Sequence, residues 1–328
     1  MADDCHCCVP GSGENFVSEQ KTGRPREPIE RGTRPVSLND MRYIDGGSFA
    51  MGSESHLSYL GDGEGPIRSV KVSPFWMDIH AVTNDNFDKF IAATGYMTTA
   101  EERGWSFVFG GLLPEEFEPT RGVMDAPWWR QVFGADWRHP EGPDSSIEGR
   151  GNHPVVHVSW EDAKSFADWS GKSLPTESCW EFAARGGLDG ALFPWGDEFN
   201  PNGKHLANTW QGIFPSSNSL EDGWYGTCPV DAFPANGYGL HNVVGNIWEW
   251  CADWFSVEHP LTPKMIDPIG PSDGDAKVQK GGSFLCHISY CARYRPAARV
   301  GVSPDSTSSN VGFRCMYNPD STITDRTR

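Results

Sequence analysis

The chain has 328 residues and a formal net charge of −17, from 27 Lys and Arg against 44 Asp and Glu. This acidity argues against a nucleic acid or a membrane as a partner, because phosphate contacts need a clustered basic face. No stretch approaches the roughly 18 consecutive apolar residues of a transmembrane helix. The N-terminus lacks the basic and apolar regions of a signal peptide, and the sequence contains no Asn-x-Ser/Thr sequon, so we expect a cytoplasmic protein.

Glycine and proline are unusually frequent, with 37 and 25 residues, and the chain has 14 Trp. Many turn residues together with many large rings indicate a loop-rich fold that is held by aromatic clusters. From composition we expect a polar tail over residues 1–38, one domain over residues 39–319 and a frayed C-terminus over residues 320–328.

Three helices are predicted from their capping residues. Thr83, Ser159 and Thr176 can each cap an amphipathic segment that ends at glycine. Short strands are predicted at Ile67–Val72, Val155–Val158 and Lys277–Gln279. Residues from about Phe193 to Ala276 are predicted to be irregular loop. Because so long a loop is unusual in a compact domain, we expect something besides secondary structure, such as metal ions, to order it.

The strongest local signal is the segment GGSFLCHISYC, which contains Cys286 and ends five positions later at Cys291. The two side chains can meet only if the chain bends between them, and the paired glycines upstream permit unusual backbone geometry. The spacing leaves four interpretations open: a disulfide, half of a zinc site, two buried apolar residues, or a paired-thiol redox or copper(I) site. Copper(I) prefers two soft thiolate ligands.

Carboxylate and amide side chains recur among turn residues in two places. One place combines residues 208–210 with residues 221–224, and the other is the run 242–250. These segments offer the oxygen ligands that calcium takes, but not the spacing of an EF-hand loop. Since Asn and Asp are also ordinary turn formers, the spacing alone leaves a calcium role and a purely structural role open.

These motifs resemble the formylglycine-generating enzymes, also called sulfatase-modifying factors. The resemblance runs from about Gly46 to Cys315. Its blocks include GGSFAMGS, NHPVVHVSWEDA, LPTESCWEFAARGG, GYGLHNVVGNIWEW, KGGSFLCHISYC and PDSTSSNVGFRC. Blocks such as VSWEDA and GNIWEW also occur in non-catalytic relatives, which indicates fold more than activity. The pair Cys286 and Cys291 is the feature that those relatives lack.

The resemblance implies a single α+β domain of low regular secondary structure, related to C-type lectins. It implies a copper-dependent oxidase that converts the Cys of a C-x-P-x-R motif in type I sulfatases to Cα-formylglycine with O2. The partner would be an unfolded or nascent sulfatase polypeptide, with no nucleic acid and no membrane involved. We expect the enzyme to be a monomer.

Site residues follow from the resemblance position by position. Cys286 and Cys291 would bind copper(I) as a dithiolate, which the substrate thiolate joins. The oxygen pocket beside the copper would be formed by Trp248 and Ser283. The peptide groove would be shaped by His287 and Tyr290.

The same resemblance implies two calcium sites, and these would order the long loop region. The first would take the side chains of Asn208 and Asp222 and the carbonyls of Thr209 and Trp224. The second would take the side chains of Asn242 and Glu249 and the carbonyls of Gly245 and Ile247. Because such sites do not exist in the unfolded chain, calcium binding would contribute directly to folding.

The sequence also departs from its relatives. Ala167, Ala184 and Pro296 stand where vertebrate members carry disulfide cysteines, which favours a bacterial-type member with free thiols. The thiols expected to be free are those of Cys179, Cys228, Cys251 and Cys315. In the tail, Cys8-Val9-Pro10 begins like the substrate motif. One hypothesis is that the tail acts as a pseudosubstrate or holds copper through Cys5, Cys7 and Cys8, and the other is that these thiols are incidental.

Two other functions compete with the oxidase. A calcium-stabilised binding module of the same fold, without activity, would take up no copper. A related copper oxidase with a different thiol substrate would take up copper but would not turn over a C-x-P-x-R peptide. The complete set of Cys286, Cys291, Ser283 and Trp248 argues against the binding module.

Overall fold

The structure is a computed structural model, and it describes residues 36–259 and 265–319. The hypotheses about Cys5, Cys7 and Cys8, and the C-terminus expected to be frayed, lie outside the described residues. Within the described ranges, no helix is both long enough and apolar enough to cross a membrane.

Four short α-helices lie in the described part of the chain. They are α1 Asn84–Thr94, α2 Thr99–Arg103, α3 Trp160–Trp169 and α4 Glu177–Arg185. The three predicted caps are confirmed, because the side chains of Thr83, Ser159 and Thr176 each accept a hydrogen bond from a backbone N–H of the first turn. Such bonds pair donors that a helix start otherwise leaves open. The additional helix α2 begins with a capping box between Thr98 and Glu101.

The strands are short and form several small sheets. Their bounds are β1 Met41–Ile44, β2 Gly47–Met51, β3 Arg68–Val72, β4 Phe75–Asp78, β5 Trp105–Phe109, β6 Gly122–Val123, β7 Ala126–Phe133, β8 Gly212–Ile213, β9 Ser217–Asn218, β10 Trp248–Trp254, β11 Met265–Ile266, β12 Lys277–Lys280, β13 Arg299–Val302, β14 Val311–Gly312 and β15 Met316–Tyr317. The sheet orders are β13-β12-β10-β14, β1-β4-β15, β11-β3-β2, β5-β7-β6 and β8-β9. The strands predicted near residues 67–72 and 277–279 are thus confirmed.

The strand predicted at Val155–Val158 is wrong. His157 has a φ of 61°, a left-handed conformation that breaks an extended run. The backbone of this segment is instead paired with two loops, since the N–H of Val155 donates to Val82 and the N–H of His157 donates to Ser308, each at 2.9 Å. The alternation of His157 with valines therefore reflects a buried loop that touches the core on several sides.

The prediction of irregular loop from 193 to 276 is mostly right, but it misses β10 and the two-residue strands β8, β9 and β11. This seven-residue strand is the centre of the four-stranded sheet, between β12 and β14. Its residues Trp248 to Cys251 are buried on both faces, so the sequence shows no alternation of apolar and polar positions. β10 is important for the site because it begins at Trp248.

Two buried carboxylates, Asp253 of β10 and Glu177 of α4, belong to a group of charged residues in the core. The carboxylate of Asp253 accepts the backbone N–H groups of Glu177 and Gly270, each at 2.7 Å. Burial and the neighbouring Glu177 raise the pKa of Asp253 to about 6. Burial also acts to raise the pKa of Glu177, but Arg299 and Lys280 outweigh it and hold that pKa at about 2.

Ionisation of Asp253 is expected to destabilise the folded protein as the pH rises. Its pKa is about 6 when folded against an ordinary value of 3.8, so the folded state binds this proton more tightly than the unfolded chain. Between pH 3.8 and 6 the difference amounts to about 3 kcal/mol. Urea unfolding of the wild type and of Asp253→Asn at several pH values in this window measures the effect. As the pH rises from 3.8 to 6, the free energy of unfolding of the wild type should fall by about 3 kcal/mol relative to that of the variant. A difference that stays constant with pH would contradict the raised pKa.

Candidate active site

Cys286 and Cys291 lie side by side in the loop between β12 and β13. Their Sγ atoms are 3.0 Å apart, well beyond the length of about 2.05 Å of a disulfide bond. The side chains are 2% and 1% exposed and belong to the largest apolar cluster, which also contains Trp248. The two residues are therefore a buried pair of thiols, and the disulfide that the spacing left open is not formed.

Two consecutive turns bring the sulfurs together. The N–H of Cys286 donates to the carbonyl of Ser283 at 2.9 Å, and the N–H of Cys291 donates to the carbonyl of His287 at 2.7 Å. Upstream, Gly282 has a φ of 71°, a conformation that side chains other than glycine rarely adopt. The chain thus bends between the two cysteines, which is what a common site for them requires.

The environment of the pair favours the protonated form of the Cys286 thiol. Burial raises the pKa of Cys286 well above its ordinary value, and the adjacent Cys291 raises it further. The N–H of Ser283 donates to Cys286 Sγ at 3.4 Å and acts in the opposite direction. A soft cation that replaced the thiol protons would balance two buried thiolates, so this donor set fits copper(I).

A zinc site does not fit the same pair. Structural zinc takes four ligands, and among the described residues no group of three or more His, Cys, Asp and Glu is placed to hold a metal ion. The half-site that the cysteine spacing left open therefore has no second half in the described part of the chain.

Ser283, in the same loop, and Trp248, the first residue of β10, are both fully buried. Ser283 Oγ accepts hydrogen bonds from the N–H of Leu285 at 3.3 Å and from Nδ2 of Asn310 at 3.0 Å. The backbone N–H of Trp248 donates to the carbonyl of Asn310 at 2.9 Å. The indole Nε1 of Trp248 has no hydrogen-bond partner among the described residues.

An aromatic rim surrounds the exposed side of the cysteine loop. The ring of Tyr290 stacks on Phe214 with centroids 5.0 Å apart, and it meets Trp128 edge to face at 5.1 Å. His287 is half-buried with its Nδ1 2.7 Å from Ser289 Oγ, and Ile288 is 56% exposed. Trp128 and Phe214 are site residues that were not predicted from the sequence, although both lie in aromatic blocks that could have marked them.

The residues of the first expected calcium site meet at Asp222. Its Oδ2 accepts the N–H of Thr209 at 3.0 Å, and its Oδ1 accepts the N–H of Trp224 at 2.9 Å. The neighbouring Asn208 is buried, and its Oδ1 has no hydrogen-bond partner among the described residues. Asp222 Oδ2 also accepts a hydrogen bond from Nε2 of Gln211 at 2.8 Å, so among the described residues this carboxylate has only uncharged donors around it. Because calcium takes carboxylate, amide and carbonyl oxygens, the unpaired oxygen of Asn208 and this carboxylate without a counter-charge fit a calcium ion.

The two side chains expected at the second calcium site, those of Asn242 and Glu249, differ in whether their oxygens are already paired. Asn242 has a φ of 47°, and its Oδ1 is buried and unpaired within the described ranges. The carboxylate of Glu249 is already engaged, because Arg314 donates to it from Nε and Nη2 at 2.7 and 2.8 Å. The indole of Trp180 donates to the same carboxylate at 2.7 Å. Asn242 therefore fits a calcium ion better than the side chain of Glu249 does.

Comparison with known proteins identifies the family. The sequence model of the sulfatase-modifying factor enzyme 1-like domain matches residues 27–319. The formylglycine-generating enzyme of Thermomonospora curvata is 56% identical over 284 residues, which are 84% of this chain and 92% of that protein. The corresponding enzyme of Mus musculus is 50% identical over 322 residues, which are 96% of this chain and 86% of that protein.

A solved structure shares the fold. PvdO from Pseudomonas aeruginosa covers 84% of this chain and 93% of its own, with a TM-score of 0.61 at 22% identity. The family model over residues 27–319 and the two relatives show that the chain belongs to the formylglycine-generating enzyme family, the sulfatase-modifying factors. It has the α+β fold of that family, with few helices and mostly short strands and loops, as the sequence predicts.

Proposed function

We propose that the protein oxidises a cysteine of a sulfatase polypeptide to Cα-formylglycine. The observation that carries this proposal is the pair of buried thiols, 3.0 Å apart, within a chain of this family. Relatives named formylglycine-generating enzymes that align along most of their length support it. The substrate would be an unfolded or nascent polypeptide that carries a C-x-P-x-R motif.

The reaction balances with O2 and a thiol reductant. The substrate Cβ loses two electrons, its carbon–sulfur bond breaks, and water supplies the aldehyde oxygen while sulfur leaves as hydrogen sulfide. O2 takes up these two electrons and two more from the reductant, and it is reduced to water. Copper(I), held by the thiolates of Cys286 and Cys291, would supply the activation of O2 when bound.

The protein's own residues would bind, orient and shield the reacting groups. The apolar cluster around Cys286 and Cys291 excludes water, which stabilises a soft metal site and limits side reactions. Ser283 and Trp248 would offer hydrogen-bond donors at the buried side of the pair. His287 and Tyr290, on the exposed side, would shape the groove in which the peptide lies.

Conversion of a short peptide tests this function directly. The protein is loaded with copper(I) and supplied with a thiol reductant under air. It is expected to convert the peptide Leu-Cys-Thr-Pro-Ser-Arg to the aldehyde. The aldehyde is trapped with a hydrazide and detected by mass spectrometry. The matched control is the peptide with Ser in place of Cys. Copper uptake without aldehyde would favour a related oxidase with another thiol substrate, and no copper uptake would favour the binding module.

We also propose the two calcium sites, the first built on Asn208 and Asp222 and the second on Asn242. Removal of calcium by a chelator is expected to lower the unfolding temperature, because a ligand at about a hundred times its Kd contributes about 2.7 kcal/mol per site. Calcium, but not magnesium, should restore the temperature, and Asn208→Ala should show a smaller response. An unfolding temperature that is the same with chelator and with excess calcium would contradict both sites.

A cytoplasmic, monomeric enzyme is the remaining part of the proposal. The six described cysteines are all free thiols, including the four expected from the sequence to be free, and free thiols persist in a reducing compartment. Such a location would bring the enzyme to sulfatase polypeptides before they fold.

A further inference from the structure

A pocket of about 430 Å³ lies apart from the cysteine loop, since none of the residues that line it belongs to the segment 281–298. Its wall forms where β3, α4 and β13 begin and where β10 ends. These elements contribute the charged residues Arg68, Glu177, Arg299 and Asp253, in that order. The proposed oxidation of cysteine uses none of them, so the pocket needs an explanation of its own.

Arg68 is a nearly buried cation with open hydrogen-bond donors. It is 8% exposed, and its guanidinium donates one hydrogen bond within the described ranges, from Nη1 to the carbonyl of Pro66 at 3.3 Å. The nitrogens that lack a partner are not among the atoms closed to water, so they open into the pocket that Arg68 lines. Burying such donors is unfavourable unless a ligand accepts from them.

The carboxylates that act on the charge of Arg68 are those of Glu177 and Glu181, and both are paired with other cations. Glu177 accepts Nε and Nη2 of Arg299 at 2.6 and 2.9 Å. Glu181 accepts Nζ of Lys280 at 3.0 Å. They offset only part of the effect of burial, which lowers the pKa of Arg68. Among the described residues Arg68 is thus a buried cation without a counter-charge of its own, and an anionic ligand would supply one.

The other residues of the wall indicate the kind of anion. Trp254 and Ile269 contribute apolar surface. Asp253 and the exposed Glu258 also line the pocket, and their carboxylates would repel a multiply charged ligand. A guanidinium can bind one carboxylate through two parallel hydrogen bonds. We propose that the pocket binds a small monocarboxylate with an apolar body, whose carboxylate pairs with Arg68.

Isothermal titration calorimetry with the full-length protein, without copper or peptide, tests this site independently of the proposed oxidation. Benzoate is expected to bind with a Kd below about 1 mM. Acetate should bind at least about tenfold more weakly because it lacks the apolar body, and benzamide, which lacks the charge, should give no heat of binding. No binding of benzoate at about 10 mM would overturn the proposal. Tighter binding of inorganic phosphate than of benzoate would also overturn it, because a plain anion site would then explain the guanidinium.

Two variants of Arg68 test the pairing with the carboxylate. Arg68→Met removes the guanidinium and is expected to weaken benzoate binding about ten- to a hundredfold, the effect of a charge-assisted hydrogen bond. Arg68→Lys keeps the charge without the planar fork and should weaken it about tenfold. The matched control is Arg42→Met, because Arg42 is exposed on β1 and does not line the pocket. It should bind benzoate as the wild type does, and equal binding by Arg68→Met would refute the pairing.

Thermal unfolding of the ligand-free protein distinguishes a binding role of Arg68 from a purely structural one. A buried guanidinium with open donors contributes little to folding, so Arg68→Met should unfold at the wild-type temperature or above it. Benzoate should raise the unfolding temperature of the wild type but not of this variant. A cation that held Glu177 and Glu181 in place would instead lower the temperature by several degrees when removed. That result would assign Arg68 to the buried charges and overturn its role as a ligand-binding residue.

Discussion

Cys291→Ser is expected to reduce aldehyde formation to background and to abolish tight copper(I) binding. The two Sγ atoms are 3.0 Å apart and buried, so a single soft ion would contact both. A serine hydroxyl is a hard ligand that stays protonated at neutral pH, and it leaves only Cys286 as a soft ligand. Groups that act as one unit lose nearly all function when either is removed, and Cys286→Ser should behave in the same way.

Competition of copper(I) between the protein and a chelator measures this directly, together with peptide turnover. Cys251→Ala is the matched control, because Cys251 is also a fully buried free thiol but belongs to a different apolar cluster. It should keep both copper affinity and turnover. A Cys291→Ser protein with near-normal turnover would show that the dithiolate assignment is wrong.

Local signals in the sequence predict the local parts of the fold. The helix caps at Thr83, Ser159 and Thr176 depend on bonds that span three residues, and such bonds are visible in a short window. The strand at β10 depends on partners elsewhere in the chain, since β12 and β14 cover its two edges. Burial on both faces removes the alternation by which a strand is recognised.

In the candidate site too, the local parts can be predicted from the sequence and the contacts between distant segments cannot. The motif with Cys286 and Cys291 is contiguous, so the sequence alone names the pair and the need for a bend. The contacts that complete the site connect distant segments: Asn310 with Ser283, and Trp128 with Tyr290. No short-range pattern marks such contacts. In the sequence, residues 306–310 are recognised only as part of a block that resembles the family. Their burial cannot be predicted, because polar residues are ordinarily exposed.

Glu249→Gln is expected to lower the free energy of unfolding by about 3–5 kcal/mol. Glu249 and Arg314 are each 1% exposed and form a bidentate pair. Arg314 also donates to the carbonyls of Asp78, Ile79 and His241, so it cannot turn towards solvent. The substitution therefore leaves a guanidinium buried without its counter-charge.

Urea unfolding with a calcium chelator and with excess calcium separates this role from that of a calcium ligand. The uncompensated charge of Arg314 does not depend on calcium, so the loss should be present in the chelator as well. The double variant Glu249→Gln/Arg314→Met should recover much of it, because removing both charges of a buried pair is far less costly than removing one. A loss seen only with calcium, and not recovered in the double variant, would show that the Glu249 carboxylate acts as a calcium ligand instead.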